Sequence, residues 1–418
     1  MYTSVLQYLN NSAAKYPEKI ALVDGEKEIS YTTLRTTARK IGSFLSDKIG
    51  NERKPVIVLM EKCAEAITSF WGILYSGNIY VPLDAHAPVD RINLILDFVE
   101  PALVLVDAPY REKVESLHVA KESVYFYDEL PDCDIQEDIL KRVERNTIDT
   151  DPAYIICTSG STGIPKGVVI SHRAIIDFTE EASEVMEFSE KEIFANQAPF
   201  YFDASVPDLY CTIRNGATLH IIPHTMYSFP IRLLEYIRDH KVNAIYWVPS
   251  ALIVVANLRA LGEVDISCLK KVMFCGEVMP TKQLNMWRKH LPDAKYVNYY
   301  GPSETTYAST YYVIDREFSN DEPLPIGKPA INTGVLVLNE ENKIASQGEI
   351  GELCIKGSGV ALGYYNNPEK TREVFVQNPV NTKYQEIIYR TGDLVRENER
   401  GELEYVCRKD FQIKHMGY

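Results

Sequence analysis

Residues 54–84 read KPVIVLMEKCAEAITSFWGILYSGNIYVPLD and hold one complete strand–helix–strand unit. KPVIVLM (54–60) and IYVPLD (79–84) are continuous apolar runs of strand length. Between them, CAEAITSFWGILYSG (63–77) has the pattern of a helix that stops at its final glycine. Continuously apolar strands joined by helices are typical of parallel sheets that helices cover on both faces. The stretch therefore predicts an α/β fold.

The same alternation extends in both directions along the chain. DRINLILDFVE (90–100) predicts a helix ended by Pro101, and ALVLVD (102–107) predicts the next strand. Later strands are predicted at AYIICTSG, IFANQAP, ATLHIIP, NAIYWVP, KKVMFCG and KYVNYYG, and later helices at IRLLEYIRDHK (231–241) and KQLNMWRKHL (282–291). We predict two doubly wound, mostly parallel sheets packed with helices.

After about residue 325 the sequence changes to short strands between Gly, Asn and Asp turns. They are TGVLVLN, GEIGELCIKG, EIIYRTGDLV and GELEYVCRK. Such a series predicts a small β-barrel-like subdomain. We expect α/β subdomains at about 1–170 and 171–324 and a β subdomain at 325–407.

Composition excludes several classes of protein. The net charge of −14 argues against nucleic acid or an anionic membrane as the main partner. No stretch approaches about 18 consecutive apolar residues, and the N-terminus lacks the apolar core of a signal peptide. The eight cysteines form no C-x-x-C pair and no zinc-binding spacing. We expect a soluble cytoplasmic protein with reduced thiols.

CTSGSTGIPKG (157–167) is a glycine- and hydroxyl-rich loop between two apolar runs. Its glycines leave backbone N–H groups bare, and Lys166 adds one cation, which together suit phosphate oxygens. The alternative is the tip of a surface hairpin. The loop is not a Walker A motif, because Pro165 and Gly167 flank the lysine and a strand follows. No hydroxyl stands beside the lysine to bind magnesium, so the metal ligand must lie elsewhere.

Two further stretches carry carboxylates that suit a nucleotide. In NYYGPSETT (298–306), Glu304 follows a strand end, where α/β sheets bind ligands, and Mg²⁺ prefers one or two carboxylates plus phosphate oxygens. Tyr300 offers a flat face for a base. The alternative is a Ser–Glu capping box that opens a helix. In YRTGDL (389–394), Asp393 follows a glycine and can bond a sugar diol, although the stretch alone is also a simple β-turn.

Taken together, these stretches resemble the adenylate-forming superfamily of peptide-synthetase adenylation domains, acyl-CoA ligases and luciferases. TSGSTGIPKG, NYYGPSE, YRTGDL and CRKDFQIKHMGY occur in the family's order and spacing. Further matches are ISYTTL (29–34), YSGNIYVPLD (75–84), FDAS (202–205) and GELCIKGSGVALGYY (351–365). The resemblance covers about residue 10 to the end. NQAPFYFDASVPDLY (196–210) and VMFCGEVMP (272–280) are similar to the D-alanine–carrier-protein ligases.

The resemblance implies a reaction in two halves. A carboxylate attacks the α-phosphate of ATP, giving an acyl-adenylate and pyrophosphate, and a phosphopantetheine thiol on a carrier protein then takes the acyl group. ATP and Mg²⁺ are the implied cofactors. We expect no nucleic-acid or membrane partner, and a monomer.

The resemblance also assigns nucleotide contacts residue by residue. Lys166, Ser303 and Glu304 take catalytic roles: Ser303 stands where the family usually has Thr at the α-phosphate, and Glu304 matches the magnesium ligand. Tyr300 matches the aromatic residue packed on adenine, and Asp393 matches the ribose-binding Asp. The remaining nucleotide contacts are Thr158, Ser159, Gly160, Ser161, Thr162 and Gly163 in the phosphate loop, Gly276 and Glu277 beside adenine, and Arg408 at the ribose.

Asp203 determines the implied substrate class. In the family an Asp here pairs with the α-ammonium of an amino acid, and acyl and aryl ligases usually lack it. The alternative is a cap on the helix SVPDLYCTIRNG (205–216). The side-chain pocket is expected to include Ala204, Pro207, Tyr246, Met273, Cys275, Tyr299, Tyr307 and Ala308. Three tyrosines favour a small amino acid by volume, or a Ser- or Thr-like one through their hydroxyls.

Residues 408–418 match the hinge, with Asp410 at its centre, and the start of the family's C-terminal lid. We therefore expect this chain to bind ATP, amino acid or adenylate but to turn over poorly. The favoured function is activation of a small neutral amino acid for non-ribosomal peptide synthesis. Alternatives are a D-alanine–carrier-protein ligase, an acyl- or aryl-CoA ligase, and an inactive ligand-binding module.

Overall fold

A computed structural model describes residues 2–130, 132–158 and 165–409. Within them the α-helices are α1 (Leu6–Lys15), α2 (Tyr31–Ile49), α3 (Ala64–Tyr75), α4 (Val89–Val99), α5 (Arg111–Val114), α6 (Glu137–Asn146), α7 (His172–Val185), α8 (Val206–Asn215), α9 (Pro230–Asp239), α10 (Pro249–Asn257), α11 (Thr281–His290) and α12 (Pro368–Val374). In this part of the chain, no helix is both long and apolar enough to cross a bilayer.

Each run for which a strand was predicted holds one, and the structure adds strands that were not predicted. They are β1 (Ile20–Asp24), β2 (Lys27–Ser30), β3 (Pro55–Met60), β4 (Ile79–Asp84), β5 (Leu103–Val106), β6 (Val124–Phe126), β7 (Pro152–Thr158), β8 (Lys166–Ser171), β9 (Ile193–Asn196), β10 (Thr218–Ile221), β11 (Ala244–Trp247), β12 (Lys271–Phe274), β13 (Lys295–Tyr300), β14 (Thr310–Val313), β15 (Lys328–Pro329), β16 (Thr333–Leu338), β17 (Gly351–Gly357), β18 (Gly363–Tyr364), β19 (Phe375–Gln377), β20 (Ile387–Glu397) and β21 (Leu403–Arg408).

The chain divides into two compact units, each built from separated segments. The first is Met1–Ile176, Pro199–Ile221 and Ala361–Pro368, and the second is Asp177–Ala198, Ile222–Val360 and Glu369–Tyr418. The subdomain boundaries expected at residues 170 and 324 stay a prediction.

The first unit holds a seven-stranded sheet in the order β18-β8-β7-β4-β3-β5-β6. Its central strands β7, β4, β3, β5 and β6 pair in parallel, whereas β8 and β18 add to one side antiparallel. All six residues of β3 are buried, as expected of a strand that is covered on both faces. On one face, α4 packs Ile92, Ile95 and Leu96 against Ile57, Val81 and Ile155. β10, β1 and β2 form another run of paired strands in this unit.

The second unit carries strands in the order β15-β14-β13-β12-β11-β9, parallel from β9 to β13 and antiparallel beyond it. Trp247, Phe274 and Trp287 lie in its main core at 1% exposure or less. A second, antiparallel sheet runs β16-β17-β20-β19, with β21 paired to β20. The predicted α/β fold with parallel sheets and a small curled antiparallel sheet is confirmed.

Candidate functional site

The glycine loop leaves β7 at Thr158 and returns to β8 at Lys166, and these two residues are direct partners across the antiparallel pair. Both side chains are half-buried, and Pro165 is buried. The loop residues Ser159, Gly160, Ser161, Thr162 and Gly163 lie outside the described residues. The strand pairing thus holds the first hydroxyl and the lysine of the loop close together.

Lys166 has an aromatic neighbour that the sequence analysis missed. Its Nζ atom lies 5.4 Å from the ring centroid of Tyr364, within the range of a cation–π contact. Tyr364 reaches this place because β18 pairs with β8, with Tyr364 opposite Val168. Tyr364 belongs to the ALGYY end of the motif GELCIKGSGVALGYY (351–365), which does not by itself indicate a contact with the lysine.

Asp203 starts a single 3₁₀ turn, Asp203–Ser205, which leads directly into α8. Ser205 occupies the N-cap of α8, but its hydroxyl makes no side-chain cap and instead donates to the Phe202 carbonyl at 2.8 Å. Asp203 and Ala204 are half-buried, and Pro207 is buried in the first turn of α8. The first unit therefore places a partly desolvated carboxylate at a helix start.

In the second unit, the chain after β13 makes a tight turn that carries Ser303 and Glu304. A Cβ atom on Gly301 would lie 2.6 Å from the Tyr307 carbonyl oxygen, so only glycine fits there. Ser303–Thr305 is one 3₁₀ turn, and Thr306 and Tyr307 follow with φ of 59° and 70°. These left-handed residues prevent a helix, so the capping-box alternative is wrong.

Tyr300, Asp393 and Arg408 come together, although they stand in three separate motifs. The Tyr300 hydroxyl donates to Asp393 Oδ2 at 2.5 Å, and Arg408 Nη1 donates to Asp393 Oδ1 at 3.2 Å. Asp393 is 4% exposed. Burial raises the pKa of the Tyr300 phenol, and the neighbouring Asp393 carboxylate raises it further, so the phenol stays protonated and donates. We call this group the Asp393 corner.

The backbone around the Asp393 corner is held by its own hydrogen bonds. Gly392 has φ of 73°, and its N–H donates to Glu352 Oε1 at 3.2 Å. Glu352 Oε2 accepts from Arg390 Nε at 3.1 Å. Arg390 and Asp393 both lie inside β20, where its register against β17 shifts. The simple β-turn alternative is therefore wrong, because the glycine sits in an irregularity within a strand.

Gly276 and Glu277 lie in the turn after β12, one residue beyond its end. Gly276 has φ of 97°, which the missing Cβ permits. Glu277 Oε2 accepts the Ser250 N–H at 2.9 Å and so ties this turn to the start of α10.

Three tyrosines predicted for the side-chain pocket pack against one another in the second unit. The ring centroids of Tyr246 and Tyr299 are 5.9 Å apart, and that of Tyr307 lies 6.1 Å and 6.4 Å from them. All three are at most 4% exposed. Met273, Cys275 and Ala308 are buried too, and the Cys275 thiol donates to the Tyr307 carbonyl at 3.5 Å.

Phe178 on α7 belongs to the same cluster and was missed from the sequence. Its ring centroid lies 5.3 Å from that of Tyr307 and 6.2 Å from that of Tyr299. An apolar residue on an amphipathic helix gives no local sign of which pocket it faces, so only the fold reveals it.

The donor set fits a magnesium–nucleotide complex. Ser303 and Glu304 offer one hydroxyl and one half-buried carboxylate at the end of a strand. Mg²⁺ binds few protein carboxylates and completes its octahedron with phosphate oxygens and water. Among residues 2–130, 132–158 and 165–409, no cluster of three or more His, Cys, Asp or Glu side chains could hold a metal by itself.

Comparison with known proteins gives consistent matches. The family model for "AMP-binding enzyme" matches residues 9–365. Bacitracin synthase 3 of Bacillus licheniformis is 33% identical over 420 residues, 99% of this chain and 6% of that protein. An L-proline–[L-prolyl-carrier protein] ligase of Pseudomonas fluorescens is 31% identical over 411 residues, 97% of this chain and 80% of that protein. The chain thus spans a small part of the synthetase and most of the ligase.

Solved structures share the fold. A non-ribosomal peptide synthetase, FmoA3, in its α-methyl-L-serine-AMP bound form, has a TM-score of 0.87 at 26% identity, covering 99% of this chain and 46% of that one. The N-terminal subdomain of NpsA from Klebsiella oxytoca has a TM-score of 0.80 at 22% identity, covering 97% of this chain and all of that one.

Proposed function

Because this chain belongs to the AMP-binding enzyme family, as an amino-acid adenylation domain, we propose that it activates a small neutral amino acid as aminoacyl-AMP. The activated acyl group is then passed to the phosphopantetheine thiol of a carrier protein. The Asp393 corner is the observation that carries the proposal, since it joins residues of three nucleotide motifs around one buried carboxylate. An ionised carboxylate accepts hydrogen bonds through both oxygens, and we propose that Asp393 also accepts them from the ribose diol.

The reaction requires positioning and charge neutralisation more than covalent participation by the protein. The substrate carboxylate oxygen forms a bond to the α-phosphorus as the bond to the bridging α–β oxygen breaks, and pyrophosphate leaves with that electron pair. Ser303 donates to an α-phosphate oxygen, and Lys166 holds the departing β- and γ-phosphates. Glu304 would hold Mg²⁺, which would supply electrostatic stabilisation of the phosphate charge.

Asp203 supports an amino acid as the substrate rather than a fatty or aryl acid. A half-buried carboxylate makes a charge-assisted hydrogen bond to an α-ammonium stronger than it would be in water. An acyl substrate without an amino group would leave that carboxylate partly desolvated with no gain. This weighs against the acyl- or aryl-CoA ligase.

The packed tyrosines support a small side chain. Three mutually contacting rings at 4% exposure or less fill volume that a larger substrate would need. FmoA3 was solved with α-methyl-L-serine-AMP, the adenylate of a small hydroxylated amino acid, which favours a Ser- or Thr-like substrate among the small ones. The D-alanine–carrier-protein ligase remains the second candidate, favoured by the NQAPFYFDASVPDLY and VMFCGEVMP stretches.

Calorimetry tests the proposal by measuring how tightly this chain binds a panel of acyl-sulfamoyladenosines, which mimic acyl-adenylates. The panel holds analogues of Gly, Ala, D-Ala, Ser, Thr, Leu and Phe, each with its des-amino form. Together they measure the preference for side chain, for D or L configuration and for the amino group. We expect small aminoacyl analogues to bind tightest, with a large preference over the des-amino forms. Equal binding of the des-amino forms would favour an acyl ligase, and binding of AMP alone would favour an inactive module.

Asp203→Ala gives the matched variant. We expect about a 10–100-fold loss of affinity for the aminoacyl analogue, since a hydrogen bond to a charged group contributes about 1.5–3 kcal/mol. AMP affinity should stay unchanged. Asp134→Ala removes an exposed carboxylate from the same unit and should change neither affinity. Parallel loss of AMP and aminoacyl binding in Asp203→Ala would contradict the assignment.

A further inference from the structure

Tyr154 is a buried phenol in the strand that leads into the glycine loop. It is 1% exposed and lies directly opposite Tyr80 of β4. Its neighbours Ile155 and Cys157 point to the other face of the sheet, where they pack in the core with α4. Tyr154 therefore shares its face with Ile156 and with Thr158, the first residue of the phosphate loop.

The aromatic neighbours of Tyr154 have packing and hydrogen-bond partners among themselves. The ring centroids of Tyr80 and Tyr154 are 5.5 Å apart, and the ring of Phe70 stacks on Tyr80 at 4.5 Å. The Tyr80 hydroxyl is bonded to the Tyr210 hydroxyl of α8 at 2.9 Å. Among residues 2–130, 132–158 and 165–409, by contrast, the Tyr154 hydroxyl has no hydrogen-bond partner. A buried hydroxyl without a partner is destabilising, so its presence calls for an explanation.

The charged group that acts on this phenol is the Asp203 carboxylate. Burial raises the pKa of Tyr154 well above its usual value, and the next cause in size is the negative charge of Asp203, followed by Tyr210. Tyr154 thus stays protonated, with one donor and free acceptor capacity, within electrostatic reach of the carboxylate that precedes α8, and Tyr80 connects its ring to Tyr210 of that helix. Asp203, Tyr154 and Tyr210 all belong to the first unit.

We propose that Tyr154 is a second polar residue of the amino-group site, whose hydroxyl gains its hydrogen bond when the substrate ammonium binds beside Asp203. The ammonium has three donors, and one aspartate does not use all of them. A phenol beside the pair accepts from the ammonium and donates toward the carboxylate. The inference rests on the proposed role of Asp203 and adds a specificity residue to it.

The position of Tyr154 also connects the two halves of substrate recognition. Thr158 follows four residues later on the same face of β7, about 13 Å along the strand at ~3.3 Å per residue. One rigid, buried strand thereby fixes both a ligand for the amino group and the entry to the phosphate loop. The distance between them is set by the strand and not by a flexible segment.

Tyr154→Phe tests the proposal, because it removes only the hydroxyl. We expect the unfolding temperature to stay the same or rise. The affinity for the aminoacyl-sulfamoyladenosine should fall about 10-fold, the lower end of what is expected for loss of one hydrogen bond to a charged group. Affinities for AMP and for the des-amino analogue should not change, so the amino/des-amino ratio falls.

Tyr210→Phe is the matched control. It removes a hydroxyl that is already bonded to Tyr80, so it should lower the unfolding temperature and leave the amino/des-amino ratio unchanged. The proposal is overturned if Tyr154→Phe keeps the wild-type ratio, or if it lowers the unfolding temperature as Tyr210→Phe does. Asp203→Ala distinguishes failure of the proposed function from failure of the role given to Tyr154. If that variant keeps the wild-type amino/des-amino ratio, the proposed function itself fails. If it collapses the ratio and Tyr154→Phe does not, only the present inference fails.

Discussion

In the second unit, the Asp393 carboxylate is 4% exposed and is bonded to both Arg408 and Tyr300. In the first unit, the His172 imidazole is also 4% exposed, but burial lowers its pKa to about 4 and keeps it neutral. Its Nδ1 atom accepts one bond, from the Val5 N–H at 3.4 Å. The Asp393 carboxylate is thus buried as an ion together with its hydrogen-bond donors. The His172 imidazole is instead buried in its neutral form.

The difference shows two ways in which buried polar groups are tolerated. A charge that is surrounded by donors is preorganised for a ligand but depends on each of those donors. A group that stays neutral needs fewer hydrogen-bond partners, but it lowers the stability of the folded state when the pH falls and protonation is favoured. Variants of the Asp393 corner should therefore act on binding and stability at any pH, and His172 should act on stability in acid alone.

The largest effect is expected from Asp393→Ala. The change leaves the Arg408 guanidinium and the Tyr300 hydroxyl without their shared acceptor in a mostly buried place. Removing one member of a buried pair costs about 3–5 kcal/mol of unfolding free energy, and we expect the lower part of that range. AMP affinity should fall about 100-fold, consistent with lost hydrogen bonds to a charged group. Urea unfolding and AMP calorimetry measure the two effects.

Asp321→Ala is the control for that variant, since Asp321 is exposed in the same unit. It should change neither stability nor AMP affinity. If Asp393→Ala weakened AMP binding but left stability untouched, the corner would not be the compensated group described above.

An acid-dependent loss of stability is expected from His172. Its folded pKa of about 4 lies below the ordinary value of 6.5, so the neutral form is favoured in the folded chain. The stability it contributes is complete above pH 6.5 and is lost as pH falls toward 4. The full shift corresponds to about 3 kcal/mol, at ~1.4 kcal/mol per pKa unit.

His172→Asn retains an acceptor for the Val5 N–H and removes the titration. Urea unfolding between pH 7.5 and 4.5 should show a shallower loss for this variant than for wild type. Equal slopes for wild type and His172→Asn would disprove the buried-neutral interpretation.

Lys166→Ala should weaken ATP binding about 30-fold, the equivalent of ~2 kcal/mol for a charge-assisted contact to phosphate. AMP and aminoacyl analogues lack the β- and γ-phosphates, so their affinities should stay within about twofold. Unlike Asp393, this half-buried cation should contribute little to stability. Lys141→Ala, an exposed control in the same unit, should leave all three affinities unchanged. A matching loss for AMP would place the lysine elsewhere in the site.

The smallest effect, and the sharpest contrast, is expected from Tyr300→Phe. It removes a donor that Asp393 uses, so we expect about 1 kcal/mol of lost stability and roughly a fivefold loss of AMP affinity. Tyr154→Phe removes a hydroxyl without a partner among the described residues and should cost no stability. Thermal unfolding of the two variants side by side tests this, and similar losses in both would remove the distinction.

The fold was predictable from the sequence because buried parallel strands leave continuous apolar runs such as those of β3 and β4. The residues of the Asp393 corner were also predictable, since each belongs to a recognisable motif. The bond from Tyr300 to Asp393 was not, because no local pattern reports a contact between residues 93 positions apart.

Other features of the site could not be read from local pattern. Tyr154 stands in an apolar strand and Phe178 on an amphipathic helix, so both have the pattern of ordinary core residues. The capping-box alternative at Ser303 was wrong because Thr306 and Tyr307 adopt a left-handed backbone conformation, which β-branched and bulky residues rarely do. That conformation is imposed by tertiary contacts such as the bond from the Thr306 hydroxyl to the Gly359 carbonyl at 2.8 Å.

The pairing of β18 with β8 has a consequence for how the chain is made. From Ser171 at the end of β8 to Tyr364 in β18, the ribosome must add 193 residues. At ~5–20 residues per second, the outer edge of β8 waits roughly 10–40 s for its partner strand. An unpaired edge is a template for aggregation, so the nascent chain passes through a vulnerable interval. Slow codons placed between these two strands should therefore lower the soluble yield more than the same codons placed after residue 368.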